Sequence, residues 1–196
     1  MNETLSDQAI DQLFLTARSH NGWLEKPVDD GLLKRLYEVL RQGPTANNCN
    51  PARFLFVQSE EGKQRMLPAL KGANGEKVLA APVTVIIAID TQFIEFLPQL
   101  FSAYDLAAML RDDPAAAATI AFRNGSLQGA YLILAARALG LDCGPMSGFD
   151  SARLDHEFFP DGRWKSNFLC SLGYGDREKV RPKGPRLSFE QSCVLV

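Results

Sequence analysis

Histidine is almost missing from this sequence: His20 and His156 are the two in 196 residues. The four cysteines, Cys49, Cys143, Cys170 and Cys193, are spread too widely for a Cys-x-x-Cys pair. These scarcities exclude a zinc knuckle or a dithiol redox motif, and they leave few ligands for any metal site. Positive charge is not in surplus either. The formal net charge of −2 removes the broad basic field that nucleic acid requires, while leaving room for a local anion site. The longest apolar run, Leu79–Ile89, is about half of the roughly 20 residues that a membrane helix needs. Glu3, Asp7 and Asp11 stand before any long apolar stretch, which is not the pattern of a signal peptide. The expectation is a cytoplasmic protein with reduced, mostly buried thiols, no metal and no membrane segment.

What is present suffices for one domain over residues 1–196 with its own hydrophobic core. Ser6 can cap a first helix with Ile10, Leu13, Phe14 and Ala17 on one face. A second helix begins at Asp29 or Asp30, turns Leu33, Leu36, Tyr37 and Leu40 to one side, and stops at Gly43-Pro44. Residues 45–51 are too polar and turn-rich for an element and read as an ordered loop. Strands are expected at 54–58, at 83–89, where β-branched residues suit burial on both faces, and at 167–173. Met66, Leu67 and Leu70 mark another helix, Asn74-Gly75 a turn, and Ser102–Arg111 a weakly patterned helical segment. The longest helix spans about 115–139, with Ile120, Leu127, Tyr131, Leu134 and Ala138 as its apolar stripe. Strands are few and do not alternate regularly with helices, so the fold class is α+β, helices around a small mixed sheet.

Several familiar motifs fail on spacing. Residues 144–148 carry Met146 where a nucleophile elbow needs serine, and Gly173-Tyr174-Gly175 lacks the third glycine of a dinucleotide fingerprint. Four polar loops remain, at 18–21, 45–48, 145–148 and 183–186. Their chemistry is anion binding by arginine and serine, with amide hydrogen bonding by asparagine. Each loop taken singly has an ordinary explanation, as a surface helix terminus, a turn or a solvated tail.

In register they resemble the nitroreductase family of flavin enzymes. The resemblance rests on Arg18-Ser19-His20-Asn21-Gly22-Trp23, on Pro44-Thr45-Ala46-Asn47-Asn48-Cys49-Asn50-Pro51, on Ala136-Arg137-Ala138-Leu139-Gly140-Leu141 with Pro145-Met146-Ser147-Gly148-Phe149-Asp150, and on Gly173-Tyr174 with Arg186-Leu187. It implies an obligate homodimer with FMN at the interface and NADPH or NADH as reductant. It further implies that Arg18, Ser19 and Arg186 hold the phosphate, while Asn21, a further cofactor-binding candidate, replaces a basic residue and thins that clamp. Thr45 and Asn48 would reach in from the partner subunit, with Pro44 beside them as a cofactor-binding residue, and Pro145, Met146, Ser147 and Gly148 would run along the isoalloxazine with backbone N–H groups near N5. Asn74 would face the pyrimidine edge, and residues 176–196 would pack on the partner. No catalytic side chain is assigned, because the flavin itself carries the redox chemistry. The strings at 20–23, 144–150 and 185–190 are most similar to the malonic semialdehyde reductase branch of pyrimidine degradation. That branch would reduce 3-oxopropanoate to 3-hydroxypropanoate in ping-pong order through flavin N5. A broad nitro or quinone reductase and a non-catalytic flavin-binding dimer are the alternatives, and Arg53 and Arg123 are both candidates for a substrate carboxylate.

Overall fold

The computed structural model describes residues 3–196. In chain order the elements are α1 (Asp7–Ile10, continued as a π-helical turn over Asp11–Leu15), α2 (Asp30–Leu40), β1 (Ala52–Val57), α3 (Glu60–Met66) and α4 (Asn74–Ala80). They continue with β2 (Val83–Asp90), α5 (Leu97–Leu100), α6 (Leu106–Asp112), α7 (Pro114–Ala138), β3 (Asp142–Met146), α8 (Ser151–Phe158), β4 (Trp164–Gly173) and α9 (Phe189–Ser192). Caps set many of the helix starts: Ser6 accepts from the N–H of Ala9, Asp29 from Leu32, Asp113 from Ala116 and Asp150 from Arg153. Asn74-Gly75, expected as a turn, instead opens α4.

The α+β class holds, but the sheet is antiparallel rather than mixed. Its order is β1-β2-β4-β3, and all three ladders run antiparallel. Among the described residues, parallel pairing is confined to the isolated bridge Ser19↔Cys143. Side-chain alternation does not record strand direction, so the direction of pairing was not legible in the sequence. β2 is buried along Val83–Ala88, as its composition predicted, because it lies inside the sheet with helices over both faces.

One apolar cluster joins α2 and α7 to one face of the sheet; a second packs α3, α4 and α8 on the other. The orientation of α7 differs from expectation. Its buried face carries Ala121, Asn124, Gly125, Gln128, Gly129, Leu132, Ala135 and Ala136. Leu127 and Phe122 point outward. Small residues let the helix lie close on the sheet: a Cβ at Gly125 would stand 3.0 Å from Ile89 Cγ1, and one at Gly129 would strike the Phe168 ring. The first helix also departs from its predicted face. The π turn over Asp11–Leu15 leaves Phe14 exposed.

Candidate functional site

After the π turn the chain runs beside the edge strand β3. The N–H of His20 donates to the Cys143 carbonyl at 2.9 Å, next to the Ser19↔Cys143 bridge. Only glycine permits this approach at position 144, since a Cβ there would lie 2.5 Å from the His20 carbonyl oxygen. His20 itself is buried, with Nε2 3.4 Å from Asp142 Oδ1; Asp142 Oδ2 accepts from the N–H of Gly175 at 2.9 Å. His20 is therefore a structural residue that fixes the segment from which its neighbours project.

Those neighbours, Arg18, Ser19 and Asn21, line a pocket of about 570 Å³. Its other wall is the C-terminal segment, with Arg181, Lys183 and Arg186, and Arg137 from the last turn of α7 also lines it. The positions are set by backbone carbonyls. Arg18 Nη2 donates to the Arg181 carbonyl, Lys183 Nζ to that of Leu15 at 2.5 Å, and Arg137 Nη1 to that of Leu13 at 2.8 Å. Arg186 Nη1 donates to the carbonyls of Gly184 and Pro185. No carboxylate lines the pocket, and among the described residues none of these five cations forms a salt bridge. A concave surface with that much uncompensated charge attracts a compact polyanion.

Pro145, Met146, Ser147 and Gly148 form the exit of β3. The ladder with β4 ends at Met146↔Leu169, so Ser147 and Gly148 lie beyond the pairing. Asn74 Nδ2 donates to the Gly148 carbonyl at 2.9 Å, and a Cβ at Gly148 would stand 2.7 Å from that nitrogen. Asn74 Oδ1 accepts from Lys77 Nζ at 3.2 Å. The Asn74 amide thus holds Gly148 in place.

The 44–50 loop occupies a different part of the chain, bound to the middle of α7. Tyr131 Oη donates to the Pro44 carbonyl at 2.9 Å, and the N–H of Ala46 donates to Asn124 Oδ1 at 2.8 Å. The buried Gln128 accepts from the N–H of Ala52 and donates to Asn50 Oδ1. Asn47, Asn48 and Asn50 have φ of 50°, 52° and 40°, the left-handed region that asparagine tolerates better than other side chains. Thr45 Oγ1 accepts from the N–H of Asn50, and Asn48 donates to the Leu100 carbonyl while accepting from Asn50 Nδ2. Asn48 also lines a separate pocket with Arg53, Phe96, Gln128 and Trp164.

The structure therefore gathers Arg18, Ser19, Asn21 and Arg186 at one pocket and Asn74 at the exit of β3. Within one chain it leaves Pro44, Thr45 and Asn48 apart from that pocket. Sequence reasoning missed Arg137 and Arg181 as lining residues, and it had Lys183 only as part of the 183–186 loop. Arg181 shares a basic segment with Lys183 and Arg186 that could have flagged it, whereas Arg137 reads as an ordinary helix-terminal cation.

An acid-free cationic pocket beside the edge strand of a helix-wrapped antiparallel sheet defines an α+β protein equipped to bind an anion. The chain belongs to the nitroreductase family, whose model matches residues 15–174. It is 57% identical, over the full length of both chains, to a Rhodopseudomonas palustris protein assigned by name as an NADH dehydrogenase/NAD(P)H nitroreductase. A Ralstonia nicotianae protein with the same assignment is 54% identical, over 98% of this chain and 99% of its own. The fold is also that of an Exiguobacterium sibiricum protein solved in complex with FMN. The TM-score is 0.84 at 19% identity, and both chains are covered completely.

Proposed function

We propose that the protein is an FMN-dependent NAD(P)H oxidoreductase that reduces a small aldehyde, 3-oxopropanoate. The observation that carries the cofactor assignment is the acid-free pocket of Arg18, Arg137, Arg181, Lys183 and Arg186. Its donor set fits a phosphate dianion: guanidinium forks, an ammonium and the Ser19 hydroxyl. The names of the close relatives and the FMN complex of the similar fold support the same reading. Arg18, Ser19 and Arg186 hold the phosphate in this reading, and Asn21 lines the same pocket. Ser147 and Gly148, beyond the last ladder pair, offer backbone N–H groups to the ring, and Asn74 acts by holding Gly148. Bound FMN supplies two-electron chemistry between NAD(P)H and the acceptor, so the chain binds and orients rather than providing a strong base. The overall balance is NAD(P)H, a proton and the aldehyde in, NAD(P)⁺ and 3-hydroxypropanoate out.

Two copies complete the site. Pro44, Thr45 and Asn48 of one protomer serve the pocket of the other, and of the segment 176–196 the part up to Arg186 folds back on its own chain while the rest packs on the partner. The outward Phe122 and Leu127 of α7 and the exposed Leu187, Phe189, Val194 and Leu195 of the tail support this pairing, since a second copy would cover them. For the substrate carboxylate, Arg123 is the better candidate. Arg53 is committed, with Nη2 2.7 Å from Asp90 Oδ2, whereas Arg123 is exposed on α7 and makes no salt bridge among the described residues. The strings at 20–23, 144–150 and 185–190 support the semialdehyde. The relatives' nitroreductase name supports a second reading, a broad nitro or quinone reductase.

The decisive experiment reduces the bound flavin with NAD(P)H without oxygen, then measures reoxidation by 3-oxopropanoate, a nitroaromatic and a quinone. Fastest reoxidation by the semialdehyde is expected. Equal rates would favour the broad reductase, flavin that NAD(P)H fails to bleach would favour a binding dimer, and colourless protein that ignores FMN would sink the assignment. Arg123→Ala should raise KM for the semialdehyde and leave that for a neutral quinone unchanged.

A further inference from the structure

The 18–21 segment brings a single permanent cation to the pocket, Arg18, since Ser19 and Asn21 are neutral. Yet the pocket is not poor in cations, and one of them is not at a chain end. Arg137 projects from the last turn of α7 and borders two adjoining cavities, sharing both with Arg18 and Arg181; Asp11 and Asp142 line one of them, and the other is the acid-free pocket. Its Nη1 is committed to the Leu13 carbonyl at 2.8 Å, but its Nε is buried with no hydrogen-bond partner. Burial of Nε fixes the plane of the guanidinium, and Nη2, which makes no hydrogen bond among the described residues, is the donor left for an anion. Gln12 Nε2 donates to the Arg137 carbonyl at 2.6 Å, so the residue is fastened on its backbone side as well.

Resting on the FMN reading of this pocket, we infer that Arg137 is a phosphate-binding residue, supplying from α7 the charge that Asn21 does not. The ordinary alternative is a helix-terminal arginine that complements the dipole of α7 and tethers the first helix. The two roles differ in what they recognise. A phosphate ligand distinguishes FMN from riboflavin, which has the same ring and no phosphate; a structural residue does not.

The test titrates flavin-depleted full-length protein with FMN and with riboflavin, following flavin fluorescence, for wild type and Arg137→Gln. The expected result is an FMN affinity lowered about 10- to 100-fold, the scale of a charge-assisted hydrogen bond, with riboflavin affinity unchanged. Equal losses for both flavins would assign Arg137 a structural role, and no loss for either would remove it from the site; each overturns the inference. Arg137→Lys keeps the stem and charge without the fork, and serves if the Gln variant does not fold. It should show a smaller loss that is again confined to FMN, and equal losses in it count against the inference in the same way. Wild-type protein that binds FMN no better than riboflavin would overturn the phosphate reading of the whole pocket. Retained discrimination in the variants would overturn only the part given to Arg137.

Discussion

In the pocket between the chain ends, Arg18, Arg137, Lys183 and Arg186 donate to backbone carbonyls, and no acid cancels their charge. In the 44–50 loop the polar groups have instead been spent on one another. Gln128 is bonded at both ends of its amide, Asn48 both donates and accepts, and Asn124 accepts from Ala46 while donating to the Ile120 carbonyl. A carbonyl fixes a cation's position without removing its net charge, so the first region remains able to bind an anion. An amide bonded at both ends keeps one N–H and one lone pair but is locked in orientation, so the second region is a rigid platform whose remaining donors are fixed in place. The three left-handed asparagines fit that description. Conformations of this kind persist where the surroundings over-determine them, and here α7 supplies the surroundings.

The largest effect that would test this contrast comes from removing the chain-end wall. A protein ending at Val180 loses Arg181, Lys183 and Arg186, and its FMN affinity should fall by about 3–5 kcal/mol, two charge-assisted contacts or more. Full affinity in a fluorescence titration would show that the pocket is not the phosphate site. Arg18→Ala should weaken FMN by about 1.5–3 kcal/mol and leave the folding midpoint in urea nearly unchanged, as expected of a residue that holds ligand rather than fold. The reverse pattern is expected on the platform. Gln128→Leu strands the N–H of Ala52 and Oδ1 of Asn50, and should lower folding stability by about 1–3 kcal/mol while the preference for FMN over riboflavin persists. If that preference vanished with Gln128, the two regions would not be separable.

The smallest effect is kinetic. Cys49 sits inside the loop, fully buried, and burial pushes its thiol above the ordinary range; Cys193 lies exposed in the tail. At pH 8 iodoacetamide should reach Cys49 only after denaturant is added. Early labelling of Cys49 in native protein would mean that the loop opens and is no platform.

The cysteines follow the pattern expected from their scarcity: three are buried and none is bonded to another. Around Cys170, contact with the Cys143 thiol and then burial hold the proton well above the usual thiol range, which suits an inert core residue. β2 was equally readable, because a run of β-branched residues fits one environment, a strand covered on both faces. Helix starts at Ser6 and Asp29 were readable because a cap is a local contact spanning three residues.

α7 shows where local reading stops. Its larger apolar residues suggested a stripe through Leu127, but the sheet took the side bearing Gly125 and Gly129, since only small residues allow the backbones to come so close. The antiparallel direction of every ladder was hidden for a related reason: alternation along a strand is the same whichever way its neighbour runs.

By itself the sequence determined the local and the repeated: caps, turns, the doubly buried strand, the scarcity of metal ligands, and four short strings that place the chain among the nitroreductases. Tertiary structure alone decided which charges meet. Arg137 lies more than a hundred residues from Arg18 and over forty from Lys183, and each is an unremarkable cation where it stands in the chain. Their shared pocket exists because α7 ends against the first helix and the C-terminal segment folds back along both. Spacing along the chain carries no trace of such contacts, since electrostatic attraction depends on distance in space.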